Sequence, residues 1–302
     1  MKLLKPLSIL IGLFFLFRIL PANAQAHYEL GAVAGVSKYF GDLNQQLFSP
    51  GTHSAWGLFF RYNVGNNFSL KSSIIYTRLS GDDSHRPYEE NEINFKLRNL
   101  NFHTNLLEFS LVTETYILNR FERKFSPYII AGAGIFHFDP RTEINGKTHR
   151  LRPLGTEGQG IYGYEDPYSL WAFCGIFGLG VNYQFSEKIN MSLEASYRIT
   201  TTNYIDDVGG FYPNRQALLN HHGALAVQLS DRSYQAAQDD PILMEYLIST
   251  YGGFSIDENG NTAIDGLTSE GSYRGTNRND RYLMINLSIS YVLKSRPDRT
   301  AN

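Results

Sequence analysis

The chain has 302 residues, of which 42% are hydrophobic, 14% aromatic and 19% charged, with a formal charge of -2 and one cysteine, Cys174. A lone thiol builds neither an intrachain disulfide framework nor a cysteine metal cluster, and a near-neutral chain without a basic run lacks the footprint that nucleic acid requires. Its 20 Tyr and 20 Phe exclude disorder, while a mean hydropathy of -0.28 is too polar for a bundle of membrane helices.

At the N-terminus, Lys2 and Lys5 precede an apolar run from Leu7 to Phe17, and Ala22-Asn23-Ala24 supplies the small residues of a signal-peptidase site. The run is shorter than the roughly 20 residues a spanning helix needs. Residues 1–24 therefore read as a cleaved signal peptide, and with no cysteine after the cleavage site no lipid is attached there. The reading is of an exported protein of a double-membrane bacterium.

The rest of the chain carries a period-two signal eight times. Tyr28 to Val36 is weak and rich in Gly and Ala. In Ser54 to Asn63, Trp56, Leu58, Phe60 and Tyr62 oppose Gly57, Phe59, Arg61 and Asn63, and the next segment sets Phe68, Leu70, Ile74 and Tyr76 against Ser69, Lys71, Ser73 and Thr77. Leu106 to Thr115 places Leu107, Phe109 and Leu111 opposite Glu108, Ser110 and Glu114; the parity slips before Leu106, predicting a bulge or the membrane boundary. Tyr128 to Phe138 is again rich in Gly and Ala, as expected where larger neighbours need room. Tyr168 to Phe185, Asn190 to Thr201 and Leu283 to Tyr291 complete the set.

A soluble sandwich also alternates, so the connections decide. Val64–Asn66, Ile117–Ser126 and Ser186–Lys188 are short, while Lys38–His53, Gly81–Leu100, Asp139–Pro167 and Thr202–Asp280 are long. Lengths that alternate in register with strand number are those of an outer-membrane barrel, with short periplasmic turns and long extracellular loops. The predicted fold is thus all-β, an eight-stranded antiparallel transmembrane outer-membrane β-barrel over residues 25–294. It carries a long external loop at 202–280 and a flexible tail at 295–302. Tyr62, Phe68, Tyr128, Phe185 and Tyr291 would form interfacial girdles.

A barrel of this size holds only its own side chains. Arg61, Lys71, Glu108, Glu114, Glu194 and Arg198 project inward on this parity, and buried charges of both signs must pair, so a closed ion-pair ladder is expected rather than an ion path. In the loops, Asn145-Gly146 and Asn259-Gly260 are type I' hairpin signals, and Asp240-Pro241 starts a helix that Gly252-Gly253 stops. That helix needs the barrel mouth or a partner under its apolar face.

The candidate chemistry is thin. Asp257 to Asn261 has its glycine in the wrong place for an EF-hand. Asp42, Glu157, Asp206 and Asp207 lie near the outer rim by topology and are weak candidates for a shared divalent cation, with solvated rim carboxylates as the alternative. A rim hydrolase would draw on His103 or His137 with Ser110 and Glu108, and His221-His222 lacks the partners of a zinc pair. No catalytic residue and no cofactor is assigned.

Several landmarks look familiar in order: Tyr39-Phe40-Gly41-Asp42-Leu43-Asn44, Gly57 to Tyr62, Ser80-Gly81-Asp82-Asp83, Arg98 to Phe102 and Ser126-Pro127-Tyr128. Pro153 to Gly160, Tyr204 to Val208 and Arg274-Gly275 follow. The chain in these resembles a family of Bacteroidota outer-membrane barrels, the PorG-like components of the type IX secretion system. The resemblance implies a non-enzymatic protein of the outer membrane, embedded in its lipid, that anchors or organises a periplasmic ring of PorK-like and PorN-like proteins. On the periplasmic side the candidates for docking are Arg120, Glu122, Arg123 and Lys124 and the tail from Lys294. A general surface barrel binding external ligands through its loops is the other reading.

Overall fold

The computed structural model describes residues 27–44, 50–120, 122–144, 146–256, 260, 262–276 and 278–293. The expected signal peptide 1–24, the tail 295–302 and most of Asp257–Asn261 lie outside the described residues.

Eight long strands form the barrel: β1 (His27–Phe40), β2 (Thr52–Asn63), β3 (Phe68–Asp82), β4 (Asn101–Tyr116), β5 (Phe125–His137), β8 (Trp171–Gln184), β9 (Ile189–Thr200) and β12 (Arg281–Val292). Each pairs antiparallel with the next, and β1 pairs with β12, so the sheet closes without an edge. Closure matters because lipid offers nothing to an unpaired backbone N–H or C=O. Between β5 and β8 stands a hairpin, β6 (Arg141–Ile144) with β7 (Lys147–Arg150), turning at Gly146 with φ +69°.

The alternation read from sequence is the alternation of the wall. Leu58 is 64% exposed, Leu179 65%, Leu193 57% and Leu287 54% on the outer face, a belt that only lipid stabilises. Phe185 and Tyr291 sit at the belt's margin facing out, as expected of girdle residues; Tyr128 does not. It is 1% exposed and points into the lumen, in register with Gly180, where an added Cβ would come within 2.3 Å of the Tyr128 ring. In the weakly patterned β1 the same holds: a Cβ at Gly31 would come within 2.4 Å of the inward Phe59 ring.

The slip before Leu106 is no bulge. The β3–β4 ladder runs unbroken from Phe68↔Thr115 to Asp82↔Asn101, and what changes is chemistry: Phe102 and Leu106 face inward where Glu108 and Glu114 do lower down. Above the lipid, the barrel's inside becomes the core of a cap built from the long loops.

The cap contains a short helix α1 (Ile93–Arg98) in the second long loop and four helices in the last: α2 (Arg215–His222), α3 (Ala224–Ser230), α4 (Ser233–Asp239) and α5 (Pro241–Tyr251). The start of α5 is as read: the Asp240 carboxylate accepts from the Ile242 and Leu243 amides, and Gly252 ends it at φ +76°. Its buried apolar residues rest on other loop elements of the cap rather than on the barrel mouth. Leu243 and Leu247 pack with Ile93 and Leu97 of α1 and with Ala236 and Ala237 of α4. A two-residue ribbon pairs β10 (Ser255–Ile256) with β11 (Thr262–Ala263).

Candidate functional site: the charged lumen and the extracellular cap

Toward the short-turn end, the lumen is closed by one buried charge network. Arg61 donates to Glu29 Oε2 at 2.7 Å and to Glu114 Oε1 at 3.1 Å; Lys71 bridges Glu114 and Glu194. The Tyr116 hydroxyl donates to Glu114 at 2.6 Å, and Ser290 and Asn63 complete Glu29. Higher in the lumen, Arg198 pairs with Glu108 at 3.1 Å, and the Tyr282 hydroxyl donates to the same carboxylate at 2.7 Å. All six predicted inward charges are therefore brought inside, and Ser196, which accepts from Arg198 at 2.6 Å and donates to Glu194 at 3.4 Å, links the two groups into one network. Between them lies a void of about 20 Å³ bordered by Phe59, Lys71, Arg198 and Asn286, room for about one water and not for a channel.

Two members were not anticipated. Glu29 sits in the glycine-rich β1, where the polar-in parity is easily overlooked. Arg120 was assigned to periplasmic docking, and that assignment is corrected: it is 2% exposed, and its guanidinium donates to Glu29 Oε1 at 2.6 Å and Asn63 Oδ1 at 2.5 Å. The turn after β4 folds this side chain back into the barrel because Glu29 would otherwise be a second carboxylate on Arg61, costly to bury. Glu122, Arg123 and Lys124 remain exposed at the turn's surface.

At the other end, residues from all four long loops meet in a single hydrogen-bonded unit. Arg98 donates to Asp83 at 2.7 Å and to the carbonyls of Arg274 and Asp42. Arg86 caps the Asp42 carbonyl at 2.6 Å, and the Asp42 carboxylate takes the Thr276 hydroxyl and amide at 2.7 and 2.9 Å. Arg274 donates to Glu157 Oε1 at 3.2 Å and to the Asp207 carbonyl at 2.6 Å. Asp207, held at φ +67°, accepts from Thr156 at 2.5 Å and Tyr168 at 2.6 Å.

Asp42, Glu157, Asp206 and Asp207 thus do come to one end of the barrel, but neither of the expected pictures holds. They are buried, not solvated, and their oxygens are divided among different protein donors instead of converging on a cation. Among the described residues no group of three or more His, Cys, Asp or Glu side chains is placed to hold a metal. His222 meets the Gln159 carbonyl at 3.1 Å.

One contact needs a proton count. Tyr39 Oη lies 2.6 Å from Asp206 Oδ2 and 2.7 Å from Asp280 Oδ1. A phenol has one proton to donate, so the second short contact requires a proton on one of the carboxyls. Burial is the main cause: it pushes Asp280 up to about 8, and it raises Asp206 well above the carboxylate range with help from Asp280 and Asp42. Asp207, also raised chiefly by burial, stands at about 6 despite Arg274.

The hydrolase reading fails on geometry. His103 and His137 lie on the outward parity of β4 and β5, His137 against Trp171 at 5.1 Å, whereas Glu108 and Ser110 face the lumen. The barrel wall separates the supposed base from the supposed nucleophile.

A closed antiparallel barrel with a lipid belt, a plugged lumen and long loops on one end defines the class: an outer-membrane-type β-barrel. Residues 7–155 are similar to a family described as "Domain of unknown function (DUF6089)". No curated protein matches the chain. Among solved structures it is similar to Neisserial surface protein A (NspA), at 9% identity over 88% of this chain and 97% of that one, TM-score 0.38. It is also similar to Ail, the attachment invasion locus protein of Yersinia pestis (11%, 89% and 97%, TM-score 0.33), and to the outer membrane protease OmpT from Escherichia coli (10%, 89% and 96%, TM-score 0.32).

Proposed function

We propose that this barrel is a non-enzymatic outer-membrane component of a type IX protein secretion machinery, anchoring or organising its periplasmic ring. The observation that carries the reading is the convergence of the landmarks. Tyr39 and Asp42, Asp83, Arg98, Thr156 and Glu157, Asp206 and Asp207, and Arg274 are the residues on which the PorG-like resemblance rests, and they are the residues that hold the cap together. Chance matches scattered over four loops have no reason to fall in one hydrogen-bonded unit.

The plugged lumen supports a role as anchor over one as conduit. On the periplasmic side, Glu122, Arg123 and Lys124 offer an exposed charged turn to a ring protein. The test is capture of the barrel in mild detergent, which is expected to bring PorK-like and PorN-like proteins with it, together with deletion, which is expected to strand secreted cargo in the periplasm. Normal cargo release after deletion would refute the reading. It would leave the second, a surface barrel that binds external ligands, favoured by the open cleft in its cap.

A further inference from the structure

The outer side of the cap contains a cleft of about 880 Å³, well within the size range of small-molecule sites. Its walls are three loop segments tied by backbone hydrogen bonds. Tyr212 N donates to the Ser272 carbonyl at 2.9 Å, Arg274 N to the Gly210 carbonyl at 2.9 Å, and Gly160 N to the Glu165 carbonyl at 2.8 Å. The site is built before any ligand arrives.

Its rim and floor differ in chemistry. At the rim, Phe211 and Tyr273 pack with ring centroids 4.8 Å apart and stand 50% and 75% exposed. At the floor, Glu157 and Gln159 are almost fully buried, each fixed through one atom and unpartnered at the other. Glu157 Oε1 takes the Gly209 amide at 3.1 Å and Arg274 at 3.2 Å, while Oε2, with the Gly210 amide and the Tyr204 hydroxyl nearby, makes no well-formed hydrogen bond. Gln159 Oε1 takes the Glu157 amide at 3.1 Å, which assigns the free position to the amide nitrogen. Tyr204, stacked on Tyr168 at 4.6 Å, stands beside them in the wall.

An unpaired acceptor next to an unpaired donor, below an aromatic platform, selects among ligand classes. A cation would use the carboxylate but leave the amide N–H unsatisfied, and Arg274 already offsets that carboxylate's charge. An anion would meet Glu157, Glu165 and Glu270. Neighbouring hydroxyls satisfy both groups, one donating to Glu157 Oε2 and one accepting from Gln159 Nε2, while the C–H face of the ring lies on Tyr273. We infer that this cleft is a carbohydrate-binding site for a neutral sugar ring presented from outside the cell.

The source is either a membrane glycolipid or a free glycan, and the two are separable with the whole barrel in detergent or lipid nanodiscs. The probes are core oligosaccharide released from lipopolysaccharide, and soluble malto-, manno- and xylotriose, followed by calorimetry and saturation-transfer NMR. Saturable, salt-independent binding is expected, weakened about tenfold by Tyr273→Ala, whose exposed ring contributes little to the fold, and unchanged by Ile242→Ala on α5. Gln159→Glu, which replaces the free donor with an acceptor, should abolish it. Binding of the core oligosaccharide alone identifies a glycolipid; binding of a trisaccharide identifies a free glycan. No saturable binding by any probe, or binding that Tyr273→Ala and Gln159→Glu leave intact, overturns the inference, as does preference for a trilysine peptide.

Discussion

The cap is expected to loosen as pH rises. Asp280, fully buried, titrates at about 8 in the folded cap against 3.8 when exposed, and Asp207 at about 6; Asp206, Glu157 and Asp42 are raised as well, in every case chiefly by burial. A carboxyl whose folded value is raised binds more protons folded than unfolded between the two values, so stability falls with rising pH across that interval. For Asp280 the window opens near pH 4 and closes near pH 8. For Asp280 alone, a gap of roughly four units at about 1.4 kcal/mol each corresponds to a cost on the order of 5 kcal/mol above the window that is absent below it. Arg98 and Arg274 stay charged throughout and temper the loss without changing its sign. Hydrogen exchange resolves this, with rates corrected for intrinsic chemistry at pH 5, 6.5 and 8.5. Protection of residues 203–212 and 270–276 should fall with pH. Asp280→Asn, which keeps the shape and removes the titration, should flatten the slope. Equal protection at all three values, or an unchanged slope in the variant, would refute the proton count at Tyr39.

Arg120→Ala leaves Glu29 half-paired in the lumen and should cost about 3–5 kcal/mol, read as a lower urea midpoint for the heat-modifiable gel shift. Arg123→Ala, at the exposed surface of the same turn, should stay within about 0.5 kcal/mol, so equal effects would return Arg120 to the surface. In Gly41→Ala the new Cβ would stand 1.9 Å from Tyr39 Oη and 2.2 Å from Asp280 Oδ1; cap protection should drop while the barrel midpoint holds. Planar-bilayer recording of the purified barrel should show no sustained conductance, and a stable open level would contradict the lumen described above.

What was legible from sequence is what depends on period two. The outward Leu58, Leu179, Leu193 and Leu287 and the inward Arg61, Lys71, Glu114 and Arg198 follow from parity alone, because a barrel wall has only two faces. Glu29 is missing from that reading because the glycine-rich β1 hides its parity; with it the inward set holds four carboxylates, Glu29, Glu108, Glu114 and Glu194, against three cations, Arg61, Lys71 and Arg198. A buried carboxylate without a counter-charge demands one, so the imbalance itself pointed to a basic residue folding in from a turn. Arg120 is that residue, and treating every turn side chain as solvated concealed it.

The cap was legible only as parts. Its decisive contacts join residues 167, 176 and 234 positions apart, Tyr39 to Asp206, Arg98 to Arg274 and Asp42 to Thr276, and no local pattern encodes which loop crosses which. Physics nonetheless separates the two ends. In the lumen each acid is met by a cation, so neutrality comes from counter-ions held at fixed parity. In the cap, Asp42, Asp83, Asp206, Asp207, Asp280 and Glu157 face Arg86, Arg98 and Arg274, too few to match them, and Asp206 and Asp280 share a single phenol. One phenol proton cannot serve both, so one of that pair carries a proton of its own. The membrane-spanning part of this protein is therefore neutral by pairing, while its outer end holds carboxyls that burial shifts toward the protonated form, so that a rise in external pH acts on the loops and leaves the cylinder standing.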